Sequence, residues 1–215
     1  FVSTMALREH GAPTAHDTMP GGILRHALKR PFIVFLLSAS LLQVSFGAYY
    51  GFFALYMRDL GYTGQQTGLL IALGVLAEIG IFLIARRLIT TFGVWNLLFL
   101  CMSLTAVRWY VLAAQADSGA AVILSQLIHA LSFGLTHATS VHFIHHFFAP
   151  QYHSRGQALY ISIAFGIGGA AGNFIAGQFW DQGVQAYTTF LIASLTAGAG
   201  AACLLFTPRR TMTQV

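Results

Sequence analysis

Three ionisable side chains stand in stretches of sequence that are otherwise strongly apolar. They are Glu78, Arg108 and His129, each flanked by runs of Leu, Ile, Val and Ala. An acid, a base and an imidazole in one protein interior could form an ion pair, carry protons or bind a charged solute. Because a charge at the centre of a bilayer costs about 2.5–3.5 kcal/mol or more, such residues are functional candidates in a membrane protein. The alternative is a structural ion pair that fixes the register of two helices.

The composition indicates that a bilayer surrounds these residues. Of 215 residues, 56% are hydrophobic and only 8% are charged, and the mean hydropathy is +0.69. An ordinary soluble domain is about a quarter charged, so a soluble enzyme domain and a disordered chain are both excluded. The two cysteines lie in apolar runs and do not indicate a disulfide scaffold.

Six stretches are long and apolar enough to cross a membrane as helices, which takes roughly 20 residues each. The sequence therefore predicts an all-α integral membrane protein, a bundle of six transmembrane helices. Turn-like joints are expected at residues 58–64, 86–93, 115–119, 149–156 and 180–185. The predicted spans are residues 31–57, 66–85, 94–114, 119–148, 157–180 and 186–207.

The distribution of basic residues predicts the orientation of these helices. Only Arg58 falls on the predicted outer side, and Arg108 is inside a helix. Both chain ends are therefore expected in the cytoplasm, and no basic stripe interleaved with aromatics indicates a nucleic-acid partner. The residues of the predicted inner side are Arg8, Arg25, Lys29, Arg30, Arg86, Arg87, Arg155, Arg209 and Arg210.

The three intramembrane groups are expected at comparable depths. With a rise of 1.5 Å per residue, Glu78 lies about 18 Å, Arg108 about 10 Å and His129 about 15 Å from the outer ends of their helices. If these helices are neighbours, the groups can interact. We expect Arg108 and Glu78 to pair, and His129 to act as a partner of Glu78.

The fourth predicted helix carries one polar face along its whole length. At 100° per residue these side chains share one sector, and a polar stripe cannot face hydrocarbon. The stripe is expected to line a water-filled cavity or a protein interior, and hydroxyl groups that join packed helices are the alternative. Its members are Ser125, His129, Ser132, Thr136, Thr139, Ser140 and His142.

Two other helices carry suggestive residues. In the first, Gln43 and Tyr50 are seven residues apart and share a face, and Tyr49 lies beside them. Their tyrosines could bind a solute or anchor the helix at the membrane interface. In the fifth, Gly168 and Gly172 form a small-residue motif that predicts close helix packing.

A histidine cluster raises a different possibility. His142, His145 and His146 have the H-x-x-H-H spacing of the iron-binding boxes of membrane desaturases and hydroxylases. Such enzymes need several boxes, and the sequence has one, without a carboxylate nearby. We therefore predict no metal and no cofactor, and keep a membrane metalloenzyme using His142–His146 as an alternative.

Several motifs resemble the C-terminal half of a major facilitator superfamily transporter. Residues 150–159 read P-x-x-x-S-R-G-Q-A-L before a glycine-rich helix, and a basic loop follows the second helix. More narrowly, residues 42–52, 74–79, 107–109 and 126–129 resemble the group of 3-phenylpropionate permeases, relatives of lactose permease and nucleoside–proton symporters. The resemblance implies a twelve-helix fold of which this chain supplies six helices.

The resemblance also implies roles for individual residues. Relatives place an acid, an arginine and a histidine on their eighth, ninth and tenth helices, which corresponds to Glu78, Arg108 and His129 here. Lactose permease has a proton-carrying glutamate one turn after its histidine, where this chain has Ser132. Glu78, with His129, is therefore the expected proton-coupling group. The residues expected at the substrate or cavity are Arg108, Gln43, Tyr49, Tyr50, Ser125, Gln126, Ser132 and Thr136.

These observations predict a secondary transporter and not an enzyme. The expected activity is proton-coupled uptake of a small organic solute, an aromatic acid by resemblance, across a bacterial inner membrane. A non-transporting receptor or scaffold remains an alternative. Because the chain begins with Phe1, we expect it to lack an N-terminal six-helix half as its partner. The expected division is residues 1–30 as the cytoplasmic loop between halves, 31–208 as the six-helix half and 209–215 as a tail.

Overall fold

Six membrane-length helices make up the structure, a computed structural model that describes residues 21–209 and residue 212. The predicted all-helical six-span bundle is confirmed. Of the expected loop at 1–30 and the tail at 209–215, residues 1–20, 210–211 and 213–215 lie outside the described part, as do Arg8 and Arg210. The spans, numbered 1 to 6, are Arg30–Asp59, Gly64–Phe92, Val94–Gln115, Gly119–Phe147, Pro150–Gly183 and Ala186–Leu204.

Spans 4 and 5 are interrupted helices, while the other four spans are continuous α-helices. Span 4 consists of Gly119–His129, a π-helical segment at Ala130–Leu135, and Thr136–Phe147. A short helix, Gly21–Ala27, precedes span 1. Span 5 consists of a 3₁₀ turn at Pro150–Tyr152, an α-helix at His153–Tyr160, a π-helical segment at Ile161–Gly168, an α-helix at Gly169–Trp180 and a 3₁₀ turn at Asp181–Gly183.

The prediction of a turn-like joint over residues 86–93 was wrong, because residues 86–92 are helical. Span 2 continues as a helix to Phe92, and the joint to span 3 is the single residue Gly93, which has φ 76°. A positive φ is readily adopted by glycine, so the chain can reverse direction within one residue. At its other end, span 2 begins in a capping box formed by Thr63 and Gln66. The two arginines of the expected loop therefore lie on the last turns of a helix.

The joint before span 5 is also shorter than predicted. Residues 150–156, expected as part of a turn, are already helical. Pro150 stands at the first helical position, where its missing N–H costs nothing. The loop prediction failed because the polar residues here lie on an exposed helical turn and not in an irregular segment.

Span 1 lies at the centre of the bundle, where it packs against spans 5 and 6, and span 3 packs against span 6. Span 4 packs against both span 2 and span 3, which contact each other much less. Side chains on spans 2 and 3 therefore meet through span 4. Large side chains that are completely or almost completely buried fill the core, namely Phe32, Phe35, Phe46, Phe53, Met57, Leu98, Met102, Trp109, Leu112, Phe143 and Phe190.

The small-residue motif of span 5 brings two backbones together, as predicted. A methyl group on Gly172 would overlap the backbone of Val44 in span 1, and one on Gly47 would overlap the backbone of Gly172. A methyl group on Gly168 would lie 2.9 Å from the carbonyl oxygen of Ser40. Glycine is thus required at the contact between spans 1 and 5.

Substituting a glycine of span 5 should destabilise the protein only where that glycine contacts span 1. We expect Gly172→Ala to lower the free energy of unfolding by about 1–3 kcal/mol, the usual cost of overpacking. Gly169→Ala is the matched control in the same helix, because nothing lies within 4 Å of its added methyl group. Thermal unfolding of the purified full-length protein in detergent compares the two. Equal midpoints for both variants would contradict the close packing.

Candidate functional site

Glu78, His129 and Arg108 form one hydrogen-bonded chain across three spans. Nη1 of Arg108 lies 2.7 Å from Nδ1 of His129. On the other side of the ring, Nε2 of His129 lies 2.7 Å from Oε1 of Glu78. Span 4 thus places an imidazole between the acid of span 2 and the base of span 3. We call these three residues the relay.

The identity of its neighbours fixes the tautomer of His129. A guanidinium group can only donate hydrogen bonds, so Nδ1 of His129 must accept one from Arg108. The ring proton therefore resides on Nε2, which donates to the carboxylate of Glu78. The imidazole is neutral, and the relay contains one positive and one negative charge. A neutral group of this kind costs far less inside a membrane than either charge alone.

Arg108 is enclosed by aromatic rings. Its side chain is 0% exposed, and its guanidinium carbon lies 4.2 Å from the ring centroid of Trp109 and 4.7 Å from that of Tyr49. Phe46 adds a third ring at 6.0 Å. Aromatic faces attract a cation, and more strongly where water is excluded. This cage holds a permanent positive charge behind His129.

Hydrogen bonds between spans hold the cage in place. The hydroxyl of Tyr49 donates to Oε1 of Gln126 at 2.8 Å, and Nε2 of Gln126 donates to Ser125 at 3.2 Å. The indole of Trp109 donates to Ser45 at 3.0 Å. Since these polar atoms are buried and paired, they set the orientation of the rings around the guanidinium group.

The predicted pairing of Arg108 with Glu78 is indirect. The depths estimated from the sequence bring the two charges to one level, but in the structure Arg108 and Glu78 are connected through the imidazole of His129. The reason is the packing of the bundle, in which spans 2 and 3 meet chiefly through span 4. His129 thus bridges Arg108 and Glu78, which do not contact each other as a direct ion pair.

Most of the polar stripe of span 4 faces the interior of the six-helix bundle, one of the two surroundings expected for it. Ser125, Ser132 and Thr136 are buried. The hydroxyl of Thr136 donates to the carbonyl of Leu131 at 3.0 Å, and Thr139 and Ser140 likewise donate to carbonyls of their own helix. Thr136, Thr139 and Ser140 are thus bonded within their own helix, as the packing alternative expects, whereas the buried hydroxyl of Ser132 has no hydrogen-bond partner among the described residues. Arg108 was also expected to line the cavity. In the structure its side chain is completely buried among aromatic rings.

The three candidate residues of span 1 lie in different surroundings. Gln43 is buried where span 1 packs on Gly168, and Tyr49 belongs to the cage. Tyr50 is 57% exposed. Gln43 and Tyr50 were predicted to share a helical face. They differ in exposure, because span 5 covers Gln43 and leaves Tyr50 uncovered.

An aromatic surface that was not predicted from the sequence lies beside the relay. The ring of Phe133 is parallel to that of His129, with centroids 5.7 Å apart and 3° between the planes. The ring centroid of Phe133 lies 6.4 Å from that of Tyr50 and 6.0 Å from that of Phe165, and both pairs are edge-to-face. The three residues Tyr50, Phe133 and Phe165, here called the aromatic wall, come from spans 1, 4 and 5. The sequence contained one indication of this surface. Phe133 follows His129 by four residues, a spacing that places two side chains on the same face of a helix.

The histidine box divides into two pairs. His142 and His146 have ring centroids 4.0 Å apart, and His145 stacks on His153 at 4.5 Å. His146 is hydrogen bonded to the carbonyl of His142, and His153 to that of Phe148. Among residues 21–209 and 212, no three potential ligands come together as a metal site. The box therefore does not assemble as a multi-ligand centre in the described part of the chain.

Comparisons with known proteins agree on one class. Residues 4–192 match the MFS_1 like family. The chain is 32% identical over 143 residues to the Escherichia coli (strain K12) protein named "Probable 3-phenylpropionic acid transporter", covering 65% of this chain and 36% of that one. It is 26% identical over 199 residues to the maltose permease of Geobacillus stearothermophilus, covering 90% of this chain and 50% of that one.

A solved structure shares the fold. The crystal structure of the nucleoside transporter NupG, a mutant form, matches with a TM-score of 0.68 at 15% identity, over 85% of this chain and 48% of that one. The chain thus spans about half the length, or less, of these proteins. All three are transporters, which agrees with the prediction that the chain is not an enzyme. The chain belongs to the MFS_1 like family of major facilitator superfamily transporters.

Proposed function

We propose that this chain is one half of a proton-coupled secondary transporter that takes up a small organic acid. The observation that carries the proposal is the relay, a titratable acid joined through a neutral imidazole to a permanent cation inside the membrane. A structural ion pair would not need a titratable bridge. Intramembrane ionisable groups of this kind are typical of proton pathways.

Glu78 is the proton-responsive member in this proposal. It is 14% exposed, whereas Arg108 is enclosed and stays charged. Glu78 is therefore the charged group of the relay that water or a solute can reach. When the site opens alternately to the two sides of the membrane, Glu78 exchanges its proton with each side in turn. His129 tunes this exchange by offering or withholding its Nε2–H.

The aromatic wall supports an aromatic acid as the substrate. Flat apolar rings are bound well by other rings in offset or edge-to-face arrangements. Tyr50, Phe133 and Phe165 offer such faces next to the relay. The name of the Escherichia coli relative, which matches at 32% identity, points in the same direction.

A second six-helix half completes the transporter in this proposal. Spans 2 and 5 bury the smallest share of their residues within the described bundle, although span 2 has the highest hydropathy of the six. We propose that a partner half covers part of them and that the two halves rock around a site near the middle of the membrane. We also propose that both ends of the six-span region lie in the cytoplasm, because they are on the side that carries most of the basic residues. The membrane in this proposal is the bacterial inner membrane.

The chain alone should not transport. A single half supplies one wall of the site, so Tyr50 and Glu78 would have no opposite wall to enclose a solute. Vesicles containing only the 215-residue chain are expected to take up labelled 3-phenylpropionate no faster than empty vesicles. Vesicles with the full-length protein are the positive control. Uptake by the chain as a monomer would contradict the proposal of two halves.

Uptake by vesicles with the full-length protein tests the proposed function. We expect an inward proton gradient to drive accumulation of labelled 3-phenylpropionate, and a protonophore to abolish it. Labelled maltose, named for the other relative, serves as the comparison solute. Gradient-driven accumulation of maltose but not 3-phenylpropionate would overturn the substrate class and leave proton coupling standing. Uptake of 3-phenylpropionate that ignores the gradient would overturn the coupling.

A further inference from the structure

We propose that Nε2–H of His129 is the donor that binds the substrate carboxylate, and that the carboxylate of Glu78 occupies this donor while no substrate is bound. This inference rests on the proposed function and specifies its site. Glu78 acts as an internal substitute for the substrate. A solute carboxylate takes its place only when Glu78 has received a proton.

The chemistry of the donor favours a carboxylate ligand. Nε2–H of His129 already binds a carboxylate oxygen at 2.7 Å. Behind the ring, the guanidinium group of Arg108 donates to Nδ1 at 2.7 Å. This second bond polarises the imidazole and places a positive charge behind it, and hydrogen bonds to ionised groups are about twice as strong as neutral ones. The position suits any carboxylate, whether from the protein or from a solute.

A solute can reach the relay only at Glu78. A solute cannot reach Arg108 directly, since its side chain is 0% exposed and three rings surround it. His129 is almost as deeply buried, but its Nε2 points to Glu78, which is 14% exposed. The stem of Glu78 lies against Gly134, where even a methyl group would come within 3.3 Å of its Cγ. Movement of one side chain over a glycine therefore uncovers the donor.

The charges of the relay favour binding of an anion together with a proton. With Glu78 ionised, the relay has no net charge. A solute carboxylate entering alone would place two carboxylates on one donor, and like charges in a poorly solvated site repel strongly. If one proton binds to Glu78, the relay with its solute is again neutral. One proton and one monocarboxylate therefore bind together, and the loaded site carries no net charge across the membrane.

The aromatic wall lies beside this donor. The ring of Phe133 is parallel to that of His129 at 5.7 Å, and Tyr50 and Phe165 stand beside it. A solute whose carboxylate binds Nε2 of His129 can place an apolar ring against Phe133 if a short linker joins the two. The ligand class is thus a monocarboxylate with a ring two or three atoms away.

Binding measurements at several pH values test the proposal on purified full-length protein. The probe is 3-phenylpropionate, titrated by calorimetry above pH 6, where it is fully ionised. We expect wild-type affinity to fall about tenfold per pH unit once Glu78 loses its proton, because the anion then competes with an internal carboxylate. Glu78→Gln should bind at all pH values with nearly constant affinity. Asp117→Asn, an acid-to-amide change on the turn between spans 3 and 4, is the matched control and should keep the wild-type slope.

Two outcomes would overturn the inference while leaving the proposed function intact. One is a pH slope that persists in Glu78→Gln. The other is equal affinity of the wild-type protein for 3-phenylpropionate and its uncharged amide. A wild-type protein that binds neither compound at any pH would instead overturn the proposed substrate class.

The wild-type protein provides an independent readout that does not depend on any variant. Because one proton enters with one anion, a membrane potential imposed with potassium and valinomycin should not change the accumulation of 3-phenylpropionate. Accumulation that grows with an inside-negative potential would show that more than one proton accompanies each anion. That result would contradict the exchange of one carboxylate for another at His129.

Discussion

Replacing Glu78 with glutamine is expected to abolish accumulation against a gradient while substrate binding persists. With one proton per solute, a gradient of one pH unit can support about tenfold accumulation, equivalent to about 1.4 kcal/mol. Glutamine has the size and neutral charge of the protonated acid but cannot release a proton. The variant should therefore equilibrate 3-phenylpropionate across the vesicle membrane, and exchange of internal for external solute should continue.

Substitutions at His129 separate coupling from the integrity of the relay. Glutamine at position 129 has both a donor and an acceptor, so His129→Gln is expected to do less damage than Glu78→Gln. His129→Leu offers neither, and it should disrupt the bonds to both Arg108 and Glu78. Accumulation by Glu78→Gln at the normal rate would show that Glu78 is structural and that the coupling residue lies outside this chain.

The second large effect concerns stability. Arg108→Leu leaves the carboxylate of Glu78 facing a neutral imidazole without the cation behind it, and an uncompensated buried charge costs about 3–5 kcal/mol. Glu78→Leu should cost less, since the aromatic cage still holds the guanidinium group. The double variant removes both charges and is expected to be more stable than Arg108→Leu.

Unfolding midpoints of the four full-length proteins in detergent form a double-mutant cycle that measures this coupling. A matched control is Arg58→Leu, which removes a charge from an exposed ion pair with Asp59 and should change the midpoint little. Additive effects of the two relay substitutions would contradict an energetic connection through His129.

Much of the architecture follows from the sequence. The spacing of the apolar runs predicts six spans, and the structure has six. The motif at Gly168 and Gly172 predicts close packing, and these glycines do contact the backbone of span 1. Such features follow from local composition. A spanning helix must be long and apolar, and the residues at a close contact between two helices must be small. The ends of spans 2 and 5 were predicted less well, since polar residues on exposed helical turns resemble loops.

The arrangement of the relay could not be predicted from the sequence. Depth along a helix identifies Glu78, Arg108 and His129 as neighbours in one layer, but it does not say which helix lies between the other two. Span 4 also contains the π-helical segment Ala130–Leu135, where the bonding pattern departs from that of an α-helix. The angle between successive residues there is therefore not a constant 100°, although Ser132 and Thr136 still lie on the buried side.

Polarity alone also does not distinguish the buried residues of span 4 from the partly exposed ones. Ser132 and Thr136 are polar yet buried, whereas Phe133 between them in sequence forms part of the aromatic wall. Hydroxyl groups can bond to their own helix, so a polar stripe does not require water. Arg108 is similarly hidden, because aromatic rings can surround a cation as water would.

The most direct test of proton coupling is the proton flux that accompanies substrate entry. Vesicles with the full-length protein and a trapped pH-sensitive dye report both fluxes when external labelled 3-phenylpropionate is added. We expect one proton to enter per carboxylate in the wild-type protein and no coupled proton in Glu78→Gln. Substrate entry without proton movement in the wild type, or an unchanged proton flux in Glu78→Gln, would contradict this expectation.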